Sequence, residues 1–182
     1  MKTLIVIDMQ NDFIDGVLGT KEAVAIVPSV KKKIQEYVDR GDPIIFTMDT
    51  HDDRHYLETQ EGRLLPVPHC LVNTEGIKIP KEIESLVDNY MGITYLGKGQ
   101  FGAKDWNAKW ITKYIREKSE IEIIGLCTDI CVIVNALLLK TYFPENPITV
   151  YASCCAGTTP KKHEEALDVM ESCQIKVINR KE

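Results

Sequence analysis

The sequence predicts an α/β protein whose parallel sheet is covered by helices on both faces. Two observations point there. Apolar, β-branched runs alternate along the chain with stretches of helical periodicity, the β-α-β-α order of a parallel sheet. The runs are apolar at consecutive positions, as in strands buried on both faces.

The candidate strands are Thr3–Asp8, Pro43–Asp49, Thr94–Gly97, Ile121–Gly125, Ile148–Tyr151 and Ile175–Ile178. Each is a short apolar run bounded by polar residues, glycine or proline. The helical stretches are Ala23–Arg40, Lys81–Asp88, Trp106–Lys118, Asp129–Tyr142 and Pro160–Ser172. In the first of them Ile26 and Val30, then Ile34 and Val38, fall four apart, and Gly41 follows as a stop signal. Crossovers between parallel strands should be right-handed. Sites in such folds gather at the carboxyl ends of strands, here Asp8, Asp49, Lys98 and the segment from Gly125 to Cys131. The segment Thr50–Ile79 is a roughly 30-residue stretch of little periodicity, a length that in a compact domain usually signals function.

A chain of 182 residues fits one domain, 1–182, with a sizeable core. A formal net charge of -5 gives no support for nucleic-acid binding, which usually needs a basic face. The apolar run Leu4 to Ile7 is too short for a signal peptide, and no stretch approaches a membrane span. A cytoplasmic protein with reduced thiols is the expectation for its six cysteines, Cys70, Cys127, Cys131, Cys154, Cys155 and Cys173.

Four groups of residues carry chemistry, each with a plain alternative. Cys131 follows a strand end and a polar turn, where Thr128 or Asp129 is placed to cap a helix. A thiol at a helix N-terminus has a lowered pKa, and backbone N–H groups there bind an oxyanion. The alternative is a C-x₃-C pair packed in the core. Asp8 closes a strand and either accepts a proton or begins a turn. Lys98 lies in Gly97–Lys98–Gly99, either a solvated loop cation or, beside Cys131, a stabiliser of its thiolate. Asp49, His51, His55 and His69, with Glu58 and Glu61 between, supply carboxylates and imidazoles suited to zinc, iron or manganese. Asp49 and His51 are two apart on an extended chain and share a side. The alternative is a polar surface loop.

Together these positions resemble the isochorismatase-like cysteine hydrolases, and within them the nicotinamidases. The matching stretches are LIVIDMQNDF at 4–13, TMDTH at 47–51, PVPHCLVNTEG at 66–76, GKGQFGA at 97–103 and GLCTDICV at 125–132. The resemblance implies a three-layer α/β/α fold with a six-stranded parallel sheet. It also implies Cys131 as nucleophile, Asp8 as general base and Lys98 as third catalytic member. The oxyanion donors would be the N–H groups of Cys127 and Cys131, beside a cis bond at Leu126–Cys127. A divalent metal, zinc first, with iron or manganese as alternatives, would be held by Asp49, His51 and His69. Glu58 is the expected variable ligand, with His55 and Glu61 behind it. Phe13 would wall the substrate pocket, with Tyr56 or Trp106 as the second wall, since Pro66 stands where nicotinamidases often have an aromatic residue. The implied substrate is a small amide, most directly nicotinamide, hydrolysed through a thioester by a homo-oligomer. Competing readings are a carbamoyl or ureide hydrolase, an isochorismatase proper, and a non-catalytic metal-binding module.

Overall fold

In the computed structural model, which describes residues 2–52 and 54–180, six parallel strands form one sheet. They are β1 (Lys2–Ile7), β2 (Ile44–Asp49), β3 (Ile93–Lys98), β4 (Glu120–Leu126), β5 (Ile148–Ala156) and β6 (Lys176–Ile178), in the order β3-β2-β1-β4-β5-β6. The chain winds one way from β1 through β2 to β3, then returns to β4 on the other side of β1. That makes the gap between the carboxyl ends of β1 and β4 the topological switch point.

Alternation along the strands divides the interior in two. Leu4, Val6, Phe46 and Ile124 face one layer, with Val30, Ile34 and Tyr37 of the long helix α2 (Lys21–Arg40). Ile5, Ile7, Ile45, Ile121 and Ile123 face the other, with Ala136 and Leu139 of α6 (Ile133–Tyr142) and Leu167 and Met170 of α7 (Pro160–Ser172). Helix α2 starts where Thr20 Oγ1 accepts the Ala23 N–H and stops where Gly41 takes the left-handed conformation.

Several helices differ from the sequence reading. Residues 81–88 keep only one helical turn (Lys81–Glu84), and residues 106–118 only Lys109–Thr112. The apolar spacing there is real, because Ile83, Val87, Ile111 and Ile115 are all buried. Turns rather than continuous helix deliver them to the core. The 50–79 segment holds a 3₁₀ turn (Tyr56–Glu58), a short helix (Gln60–Leu64) and an isolated parallel bridge between His51 and Leu71. A four-residue helix, α1 (Asn11–Ile14), follows β1, and the short helices Gln60–Leu64, Lys81–Glu84 and Lys109–Thr112 are α3, α4 and α5. Strand β5 runs five residues beyond the expected Tyr151, to Ala156. Among the described residues no helix is long and apolar enough to cross a membrane.

Candidate active site

Three strand ends and one turn build the site. Asp8 follows β1 with a φ of 45°, in the left-handed region that only a few non-glycine residues occupy. Its carboxylate is held from below, because Thr47 Oγ1 donates to Asp8 Oδ1 at 2.6 Å and accepts the Asp8 N–H at 3.2 Å. Asp49 and Lys98 are register partners at the ends of β2 and β3. Gln10 fixes the end of β2: its Oε1 accepts the Asp49 N–H at 2.7 Å, while its Nε2 donates to the carbonyls of Asp49 and Ile77 at 2.8 Å.

The turn after β4 carries the sulfur. Gly125 has a φ of 121°, and a Cβ there would lie 2.1 Å from the Ile7 carbonyl oxygen, so only glycine lets β4 pass β1 at this point. The Leu126–Cys127 peptide is cis. Residues Thr128–Val132 then form a π-helical turn that runs into α6, with Cys131 6 % exposed. Neither Thr128 nor Asp129 caps this turn, contrary to expectation. Both reach to the 157–163 segment instead: Thr128 Oγ1 lies 2.7 Å from His163 Nδ1, and Asp129 accepts from Thr158 N and Oγ1 at 2.7 and 2.6 Å. Cys127 and Cys131 are not one packed pair, because Cys127 packs against the α2-side core and Cys131 sits in the α6-side core.

Lys98 joins these groups. Its Nζ is 2.7 Å from Asp8 Oδ2, 3.2 Å from Asp49 Oδ1 and 3.6 Å from Cys131 Sγ. It is a buried cation and not a solvated loop residue. Burial works against its charge, but Asp8, Cys131 and Asp49 outweigh that and raise its pKa. Burial pushes Asp8 up by more than the Lys98 ammonium pulls it down. The Cys131 thiol is also pushed well up, first by burial and then by the Asp8 carboxylate, against the pull of Lys98. The lowered thiol pKa expected from a helix N-terminus is therefore corrected. In the resting site burial and a neighbouring carboxylate outweigh the helix end, and the proton stays on sulfur until something removes it.

Next to this trio Asp49, His51 and His69 bring one donor atom each within 4.8 Å of one another. Asp49 Oδ2 lies 3.0 Å from His51 Nε2 and 3.4 Å from His69 Nε2. Burial opposes ionisation of Asp49, but the two imidazoles and Lys98 hold it well below the usual carboxylate range. His69 Nδ1 is 2.9 Å from the Val67 carbonyl, to which it can only donate. With Nδ1 so committed, Nε2 is the ring atom that faces Asp49 and also Glu61, whose Oε1 is 3.8 Å away. A ring nitrogen set between two carboxylates is a donor set a divalent cation would draw together, and the backbone carbonyl is the outer partner that metal-bound histidines commonly have. The donor set fits a metal.

Glu58, the expected variable ligand, is exposed and pairs with His55, itself exposed, at 3.2 Å. Glu61, one turn further on, is the carboxylate facing both imidazoles, at 3.9 Å from His51 and 3.8 Å from His69. The buried rings of Phe13 and Tyr56 meet His69 edge-on at 5.4 and 5.3 Å, and the Tyr56 hydroxyl donates to the Leu65 carbonyl. Pro66 is exposed. Trp106 is fully buried in the α6-side core, and its Nε1 donates to Asn135 Oδ1. Gln10, Thr47, Asn135 and His163 were not assigned from sequence, since each acts through contacts that only the tertiary fold creates.

Comparisons with known proteins find the same fold over nearly the whole chain. A nicotinamidase from Bacillus subtilis superposes with a TM-score of 0.82 at 29% identity, over 97% of this chain and 98% of that one. A pyrazinamidase from Pyrococcus horikoshii, solved in complex with zinc, superposes with a TM-score of 0.80 at 26% identity, over 98% and 99% of the two chains. The nicotinamidase of Escherichia coli is 26% identical over 199 aligned positions, covering 93% of this chain and 90% of that protein. The Isochorismatase domain family model matches residues 2–182, and the chain belongs to the isochorismatase family.

Proposed function

We propose that residues 1–182 act as one catalytic domain, a cysteine-dependent amidohydrolase that converts nicotinamide and water to nicotinate and ammonia. The observation that carries this reading is the position of Lys98 Nζ, within 3.6 Å of the Cys131 sulfur and bonded to both Asp8 and Asp49. One cation thus ties the nucleophile and its base to the first residue of the metal cluster. The names of relatives that match nearly the whole chain support the same chemistry.

In the reaction Asp8 takes the Cys131 proton as the sulfur attacks the amide carbonyl carbon. The carbonyl π pair moves to oxygen, and the N–H groups of Cys127 and Cys131 receive that oxyanion, each such donor typically contributing about 3–4 kcal/mol. Collapse breaks the carbon–nitrogen bond, and Asp8 returns its proton to the leaving nitrogen as ammonia departs. A thioester on Cys131 remains. Asp8, ionised again, takes a proton from water as the water oxygen attacks the thioester carbon. The thiolate leaves and takes from Asp8 the proton drawn from water, which regenerates the resting thiol, while the released acid gives its proton to solvent as nicotinate. Lys98 remains charged throughout and balances the negative charge that passes between Asp8 and the sulfur. Asp49, His51 and His69, with Glu61 beside them, would hold a divalent ion, zinc first, which supplies a Lewis-acid site for a ring nitrogen. Phe13 and Tyr56 wall that side of the pocket.

A second reading keeps the trio and changes the substrate to a non-aromatic small amide. Pro66 favours it, being an exposed non-aromatic residue where a stacking ring would close the slot. Ammonia release from nicotinamide, pyrazinamide and aliphatic amides, measured with and without a chelator, decides between them. The pyridine reading expects the aromatic amides to lead by at least about 10-fold in kcat/KM and to be suppressed by chelation, a margin worth ~1.4 kcal/mol of transition-state binding. Faster turnover of aliphatic amides, indifferent to the chelator, would overturn it.

A further inference from the structure

We infer that Asn135 is a positioning residue that locks the loop trailing Lys98 onto the helix carrying Cys131, and so sets the reach of the ammonium to the sulfur. The inference rests on the reading of Cys131 as nucleophile.

Asn135 lies in the first turn of α6, four residues after Cys131, and is fully buried. Its amide uses every bond available to it. Oδ1 accepts the Ala103 N–H at 2.9 Å and the Trp106 indole N–H at 3.0 Å. Nδ2 donates to the Phe101 carbonyl at 3.0 Å and to the Cys131 carbonyl at 2.7 Å. Two donors on one side and two carbonyls on the other fix which end of the amide is oxygen. Three of the four partners belong to the loop that begins at Lys98. The fourth is the backbone of the nucleophile itself.

The loop approaches α6 closely at the same place. A Cβ at Gly102 would stand 2.5 Å from Leu138 and 2.7 Å from Val134, so glycine lets the backbone rest on the helix on either side of Asn135. Lys98 is the last residue of β3, and its side chain leaves the strand where this loop starts. Strand β3 is an edge strand, with β2 on one side and, among the described residues, no strand on the other. From β3 the sheet reaches Cys131 only by way of β2, β1 and β4. The Asn135 amide is a direct link between the loop after Lys98 and the Cys131 backbone. A buried amide with four partners holds its geometry tightly, because moving either element strands polar groups away from water. No group on Asn135 bonds the reacting atoms, so its role is to place Lys98 and Cys131.

The test is Asn135→Ala, with Trp106→Phe as a milder companion that removes one donor from the loop side. Two readouts are taken on protein shown to be folded by circular dichroism. One is kcat and KM for the best amide substrate. The other is the rate constant for iodoacetamide alkylation of Cys131 at pH 7, followed by peptide mass, which needs no substrate. Asn135→Ala is expected to lower kcat about 100-fold with KM changed less than 3-fold, and to change the Cys131 alkylation rate at least 5-fold. Trp106→Phe is expected to lower kcat about 5-fold in the same pattern. Unchanged kcat and alkylation, with only a lower melting temperature, would overturn the inference. If Asn135→Ala does not fold, Trp106→Phe decides alone: wild-type kcat and alkylation in that variant overturn it. Absence of amidase activity in the wild-type enzyme would instead count against the nucleophile reading.

Discussion

Two buried clusters of lysines and carboxylates lie on the same sheet, and they are balanced in opposite ways. In the α2-side layer, Glu122 of β4 meets two lysines, Lys2 at 2.8 Å and Lys33 at 2.7 Å, with Lys33 also lying 3.6 Å over the Tyr151 ring. At the carboxyl edge one lysine, Lys98, serves Asp8, Asp49 and a thiol. Burial opposes ionisation of Glu122, but the two lysines, which also pair with Glu120 at 2.8 Å and Glu36 at 3.6 Å, outweigh it, and its carboxyl falls to about 2. At Asp8 burial outweighs the one lysine, with Asp49 adding to it, and the carboxyl is pushed up. The first arrangement keeps a carboxylate permanently ionised and is structural. The second leaves a carboxylate that takes up a proton more readily than a free one, which suits a general acid–base group.

The largest expected effect breaks the carboxyl-edge cluster. Lys98→Met removes the one cation and should lower kcat/KM by ~10³-fold or more, the order found for members of concerted catalytic sets. Steady-state kinetics on Lys98→Met and Lys2→Met side by side would sharpen the contrast. A comparable loss of activity in Lys2→Met would erase the distinction between the clusters.

The next effect is on stability. Glu122→Ala takes from buried Lys33 its nearer acid, leaving only Glu36 at 3.6 Å, and should cost about 3 kcal/mol or more, with kcat per folded molecule unchanged. For a chain of this size that is roughly 10 °C in Tm. A pH dependence follows from the same group. The folded pKa of Glu122 is depressed below the model-peptide value of 4.5, to about 2. Its contribution to stability is therefore fully present above about 4.5 and lost as pH falls through about 2. Urea melts between pH 7 and 3 should show a stability slope that Glu122→Gln reduces. An identical slope in the variant would show that Glu122 is not the group responsible.

The sequence carried the strands well, because both-face burial writes itself as continuous apolar runs such as Leu4–Ile7 and Ile44–Phe46. Asp8, Asp49, Lys98 and Cys131 were visible as strand-end residues, and their convergence follows from parallel topology. Helix lengths were less legible. Ile83 and Val87 have helical spacing, yet a single turn suffices to bury both, and short isolated helices have little to propagate them. Glu58 and Glu61 were not separable by composition, since the choice depends on how the 3₁₀ turn and the following helix rotate them. Asn135, Gln10 and Thr47 left no local signal. Gln10 meets Asp49, and Thr47 meets Asp8, only because β1 and β2 are neighbours. The thiol's direction of shift was also out of reach, because burial beneath the strand ends, and not the helix end, sets it.

The most direct test is to catch the covalent intermediate. Wild-type enzyme turning over nicotinamide is quenched in acid and its Cys131 peptide is weighed, beside Cys131→Ala assayed for ammonia release. The account predicts a nicotinoyl adduct on Cys131 alone and no detectable turnover in the variant. Ammonia released by Cys131→Ala at a rate near wild type, with no adduct on any cysteine of the wild type, would contradict it.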